Sequence, residues 1–144
     1  MGLKVELKPG ERFILGECLV TNGSQRTRLL IEGRAPILRE KDIMTPAQAD
    51  TPAKRIYFCV QIMYTSRDPI MHHPTYFALM RDLVQAAPSS WTHMQAICNH
   101  IMIGQMYKAL KSAKTLIGYE KELLDHATSN TRLRRGGEPN RKSA

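Results

Sequence analysis

Thr51-Pro52-Ala53-Lys54-Arg55-Ile56-Tyr57-Phe58-Cys59-Val60-Gln61-Ile62-Met63 is the stretch at which the chain changes period. A threonine followed by proline reads as a cap residue and the first helical position. Ile56, Cys59, Val60 and Met63 then fall at i, i+3, i+4 and i+7, which is one face of an amphipathic helix. The helix is expected to close near Asp68-Pro69, since proline restricts the residue before it and cannot extend the hydrogen-bond ladder. A second helix follows Pro74, with Tyr76, Phe77, Met80, Leu83, Val84 and Ala87 on one side, and stops at Pro88. A third, capped by Ser89 or Ser90, carries Trp91, Met94, Ile97, Cys98, Ile101 and Met102 inward as far as a break at Gly104. A fourth runs from about Gln105 to Asp125, with Met106, Leu110, Ala113 and Ile117 facing the core.

Upstream of residue 45 the alternation is that of strands. Leu3-Lys4-Val5-Glu6-Leu7-Lys8 and Gln25-Arg26-Thr27-Arg28-Leu29 each put apolar residues on one face and polar ones on the other. Pro9-Gly10 closes the first strand, Gly16 interrupts the run after Phe13-Ile14-Leu15, and Asn22-Gly23 signals a two-residue hairpin. Ile37-Leu38 supplies one more short strand. The expected fold class is therefore α+β: a small antiparallel β-module of about four or five strands (1–44) packed on a bundle of about four helices (45–126). So few strands bury little alone, so one face of the sheet should lie on the helices. Residues 127–144 are expected to form a basic flexible tail, because Arg132, Arg134, Arg135, Arg141 and Lys142 face only Glu138 there, with almost no apolar content.

The whole chain carries 21 Lys and Arg against 13 Asp and Glu, a formal charge of +8 that favours a polyanionic partner. No apolar run approaches the length of a membrane span, and no secretory leader is evident, so a cytoplasmic protein is expected. Cys18, Cys59 and Cys98 are odd in number and contain no C-x-x-C pair, which fits reduced thiols better than a disulfide or zinc framework. His72 and His73 are adjacent and point apart, while His93 and His100 have no carboxylate on their segment, so no metal or other cofactor is expected. Phosphate-loop and nucleophile-elbow motifs are missing, and no enzymatic activity is expected.

The segment Arg39-Glu40-Lys41-Asp42-Ile43-Met44, followed by Ala49-Asp50-Thr51-Pro52-Ala53-Lys54-Arg55-Ile56-Tyr57 and Val60-Gln61, resembles the central signature of the FlbT family. Leu7-Lys8-Pro9-Gly10-Glu11-Arg12, Tyr107-Lys108-Ala109-Leu110-Lys111 and Leu116-Ile117-Gly118-Tyr119-Glu120 resemble it in the same order, so the similarity extends over roughly residues 3–122. The resemblance implies a post-transcriptional regulator that binds the 5′ untranslated region of flagellin mRNA, repressing translation or promoting decay. Some members favour flagellin production instead. It also implies two protein partners, the small flagellar protein FlaF and flagellin itself. A homodimer through a strand edge is left open. A second similarity joins strands, Gly10-Glu11, Asn22-Gly23, Ala35-Pro36 and Arg39-Glu40-Lys41-Asp42-Ile43 to the small mRNA-binding protein called carbon storage regulator, with Arg39 at the position of an RNA-contacting arginine. The present chain departs from it by its greater length and by lacking a basic run in the first strand, where Lys8 is the nearest counterpart.

RNA binding calls for cations at phosphates and planar groups at unpaired bases. Arg26 and Arg28 leave one strand face together, Lys4 and Lys8 project from the first strand, and Arg34, Arg39 and Lys41 continue the basic character. Lys54 and Arg55 stand beside Tyr57 at the first helix start. The candidate RNA-binding set is thus Arg26, Arg28, Arg39, Lys8, Lys41, Lys54 and Arg55; the plain alternative is solvated, edge-protecting charge. Lys108, Lys111 and Lys114 form a stripe facing RNA, FlaF or water, and their spacing does not choose among these. The eight methionines lie mostly on apolar faces, and Met-rich surfaces adapt to partner helices. That supports a different reading, in which the helical half is a protein-binding assembly factor for flagellin or FlaF and acts on RNA only indirectly.

Overall fold

The structure is a computed structural model that describes the backbone of residues 2–137 and the side chains of residues 2–128. Five strands come first: β1 (Gly2–Leu7), β2 (Arg12–Leu15), β3 (Cys18–Thr21), β4 (Thr27–Glu32) and β5 (Ile37–Arg39). They form two small antiparallel sheets, β1-β4 and β3-β2-β5. Four helices follow: α1 (Pro52–Thr65), α2 (His73–Ala86), α3 (Trp91–Met102) and α4 (Met106–Gly137). The α+β order expected from the sequence is the observed one.

The three-stranded sheet is the middle layer, and strand alternation makes it so. Phe13 and Leu15 of β2 and Ile37 of β5 pack towards Val5, Leu7, Leu29 and Ile31 of the β1-β4 sheet. Ile14 and Leu38, partners in register, instead join the cluster built by the helices. That cluster centres on Ile56, Val60 and Met63 of α1, Met94 and Ile97 of α3, and Ala113 and Leu116 of α4, each buried to 1% exposure or less. The face of α1 chosen by periodicity is the buried one.

Local chemistry explains the start of α1. Thr51 Oγ1 accepts from the Lys54 amide (3.2 Å), and the Glu120 carboxylate reaches across from α4 to take the Thr51 hydroxyl (2.5 Å) and the Ala53 amide (2.9 Å). An anion at this end satisfies orphan N–H groups and faces the positive end of the helix dipole.

Four expectations need correction. Asn22-Gly23 is not a two-residue hairpin turn, because β3 and β4 belong to different sheets and neither residue has positive φ. The Asn22 side-chain amide is a cross-link instead, donating to the carbonyls of Lys8 and Gln25 (both 2.8 Å), while the Gly23 carbonyl takes the Gly10 amide (2.9 Å). The tight hairpin lies at Gly16-Glu17, where Leu15 pairs with Cys18 and Gly16 adopts φ 61°, which costs glycine little. Trp91 and Met102, assigned to the core face of α3, are 47% and 70% exposed, since they stand at the helix ends. Ser90 does not cap α3 through its side chain; its hydroxyl donates back to the Ala87 carbonyl (2.6 Å). Finally, α4 passes Asp125 and continues to Gly137, with no glycine or proline between Gly118 and Gly136 to stop it. The expected basic tail otherwise falls on residues and side chains outside those described.

The cysteines separate by environment. Cys18 is exposed, Cys59 is buried with its thiol pushed up to about 11 by desolvation, and Cys98 lies within 3.2 Å of the Tyr76 hydroxyl and 3.3 Å of the Met80 sulfur. Since the thiolate is the reactive form, iodoacetamide at mildly alkaline pH is expected to modify Cys18 first and Cys59 only after unfolding. Peptide mapping after timed alkylation checks this, and equal rates at the two positions would contradict the burial. Among the described residues no three His, Cys, Asp or Glu side chains gather as metal ligands, and no helix is long and apolar enough to cross a membrane.

Candidate nucleic-acid interface

Two clefts meet where the strands approach α4. The first, of about 820 Å³, is lined by Glu6, Lys8, Glu11, Arg26, Arg39 and Lys41, among others. The second, of about 490 Å³, is lined by Arg39, Lys41, Asp42, Tyr107, Lys111 and Lys114, with Tyr57 at its base. Arg39 and Lys41 line both, so the two clefts are neighbours that together border a groove region between the β1 end and the first turns of α4.

The β-strands set the cations of the first cleft. Glu6 on β1 draws Arg28 (3.1 Å) and Arg26 (3.9 Å) to itself, which places both arginines on one side, as their spacing requires. Arg28 lines a neighbouring recess with Glu6, Arg26 and Thr27. Arg39 is already partnered: its guanidinium donates to the Glu6 carbonyl (3.1 Å) and approaches the Glu11 carboxylate (3.5 Å). The Glu11 carboxyl is held below its usual range, first by the Lys8 amide (2.9 Å) and then, against partial desolvation, by Arg39. Arg39 therefore ties β5 to the β1–β2 turn as well as lining the groove. Lys8, Lys41 and Lys111 make no direct salt bridge among the described residues.

In the second cleft, Lys114 pairs with Asp42 (2.5 Å), whose backbone carbonyl accepts from the Tyr57 hydroxyl. Burial, and then the nearby Asp42 charge, push the Tyr57 phenol up to about 12. Tyr107, at the start of α4, is 44% exposed, with the Lys111 ammonium 5.0 Å above its ring centroid and the Tyr64 ring 5.7 Å away.

Of the seven residues proposed from sequence, Lys8, Arg26, Arg39 and Lys41 line the groove and Arg28 adjoins it. Lys54 and Arg55 line neither cleft, and Lys54 is paired with Asp50 (3.4 Å). Of the lysine stripe, Lys111 and Lys114 enter the groove and Lys108 does not. Tyr107 was not anticipated. Its signal was present, since Tyr107 and Lys111 stand one helical turn apart on the same face.

The stretches that carry the family resemblance converge here. Glu11, Arg39-Glu40-Lys41-Asp42, Tyr57 and Tyr107…Lys111 line or floor the groove, while Thr51 and Glu120 join α1 to α4. The family described as flagellar protein FlbT matches residues 3–124. The chain belongs to the FlbT family. A probable flagellum biosynthesis repressor protein FlbT 1 of Bradyrhizobium diazoefficiens is 57% identical over 124 residues, 85% of each chain. A probable FlbT repressor of Rhodopseudomonas palustris is 48% identical over 86% of this chain and 98% of its own. The flagellum biosynthesis repressor protein FlbT of Caulobacter vibrioides is 40% identical over 90% of this chain and 94% of its own. No solved structure matches the chain. Membership gives the chain a regulatory role in flagellar synthesis.

Proposed function

We propose that this protein is a cytoplasmic repressor of flagellin synthesis that binds the 5′ untranslated region of flagellin mRNA along the shared groove, acting on translation or decay and not as an enzyme. The observation that carries the reading is that the two clefts share Arg39 and Lys41, which gathers six cations against four carboxylates with an exposed tyrosine among them. Backbone phosphates need such a cationic track, and unpaired bases need an aromatic surface. Repression, as the sign of the effect, rests on the names of the relatives.

The test is a titration of the purified protein with the flagellin leader, a scrambled RNA and flagellin at about physiological salt. Preference for the leader is expected, with Arg26→Gln/Arg28→Gln weakening it. Glu6→Gln should act in the opposite sense and strengthen binding about three- to tenfold, because it frees both arginines and removes a negative charge from the groove. Loss of affinity in Glu6→Gln would place the arginines' role in folding and not in RNA contact.

One observation favours a second reading, a protein-binding factor for flagellin or FlaF. Ile70, Met71, Met102 and Ile103 are all about two-thirds exposed or more, at the end of α3 and in the segments beside the helices. Tight flagellin binding with indifference to both RNAs would select it.

A further inference from the structure

We propose, resting on the RNA-binding reading above, that Tyr107 is a stacking platform for one unpaired base, and that Lys111 holds the ring face until RNA arrives. Two tyrosines border the second cleft and are treated oppositely by the fold. Tyr57 is 4% exposed and anchored by its hydroxyl to the Asp42 carbonyl, whereas the Tyr107 ring stands 44% exposed at the cleft wall. Tyr107 does not stand loose, because the tilted Tyr64 ring packs beside it (5.7 Å, 44°), and the Tyr64 hydroxyl is itself fixed to the Ile37 backbone. The ring is thus presented on a rigid support, which lowers the ordering cost of stacking on it.

The Lys111 ammonium over that ring is a cation–π contact at an exposed site, which is weak and exchangeable. A base offers the ring a larger flat face, and its phosphate offers the displaced ammonium a full charge. Both exchanges favour a nucleotide over an acidic peptide, which satisfies the lysine and leaves the ring without a partner. Lys41 lies on the wall of the same cleft without a salt bridge and is placed for a flanking phosphate, while Arg39 and Lys114 line it already paired with Glu11 and Asp42. Its volume of about 490 Å³ falls within the usual range for bound small groups, roughly 300–1,000 Å³.

Stacking and charge leave different thermodynamic marks. Tyr107→Leu is expected to lower affinity for the flagellin leader RNA about ten- to hundredfold, with the slope of log affinity against log salt unchanged. Tyr107→Phe should retain wild-type affinity, which also controls for the ring's structural contact with Tyr64. Lys111→Ala should reduce the slope by about 0.7. Leader binding that responds to Arg26→Gln/Arg28→Gln but stays within twofold of wild type in Tyr107→Leu overturns the stacking platform alone. A Phe variant as weak as the Leu variant overturns it equally. A wild-type protein that ignores the leader overturns the RNA-binding reading and this inference with it.

Discussion

The double variant Gln61→Leu/Tyr64→Phe is expected to lose about 3–6 kcal/mol of folding stability, a large share of what a chain of this size has to lose. Three polar side chains on one stripe of α1 hold the backbone that leads from β5 into the helices. The Tyr57 hydroxyl donates to the Asp42 carbonyl (2.5 Å), the Gln61 amide accepts from the Met44 N–H (2.8 Å) and donates to its carbonyl (3.0 Å), and the Tyr64 hydroxyl does the same for Ile37 (3.2 and 3.1 Å). Gln61 is 6% exposed, so the leucine that replaces it fits the volume but abandons a donor and an acceptor in a place water does not readily reach. Ile37 sits on β5, the edge of its sheet, where the Tyr64 hydroxyl takes up backbone groups that would otherwise be exposed to another strand. Urea unfolding followed by circular dichroism measures the loss. A change below about 1 kcal/mol would mean that the Tyr57 bond and the hydrophobic contacts of Ile14 and Leu38 suffice to hold the strands to the helices.

These locks also mark the limit of what is legible in the chain. The start of α1 can be read because cap, proline and periodicity all act within a few residues of Thr51, and local chemistry decides the outcome. Asn22-Gly23 shows the opposite case. The same dipeptide serves a hairpin or a side-chain cross-link, and the choice depends on the Lys8 carbonyl, which only the tertiary fold brings near. Periodicity also assigned Trp91 and Met102 to the correct helix but could not say how far along α3 its neighbours extend. At the groove, cationic character is visible residue by residue, yet the pairing of Arg28 with Glu6 is set by strand register, and those of Arg26 with Glu6 and Arg39 with Glu11 by the segments that the strands bring together. Glu6 stands opposite Arg28 in that register, so the neutralisation follows once β1 and β4 pair, and not before. Tyr107 reached the site only because α4 packs against α1 and brings its first turns beside Lys41 and Asp42.

This division between paired and unpaired cations leads to the second large effect. Replacing Lys8, Lys41 and Lys111 together with alanine is expected to weaken binding to the flagellin leader about 30- to 100-fold near physiological salt, and to reduce the salt slope by about 2. Each phosphate neutralised on a single strand contributes about 0.7 to that slope through released counterions, and these three ammonium groups line the groove without a direct salt bridge among the described residues. Arg26 and Arg28 differ, because a phosphate must first displace Glu6, and the carboxylate left behind repels the strand. Their neutralisation should therefore change the slope less per charge removed, and Glu6→Gln should bring them up to the lysines' share. Titrations at several salt concentrations separate the two classes. Equal slope changes per charge for lysines and arginines would show that the ion pairs at the groove rim dissolve at no cost when RNA arrives, as exposed pairs of small net energy can. A lost affinity with an unaltered slope would remove the lysines from phosphate contact altogether and leave them a role in shaping the cleft.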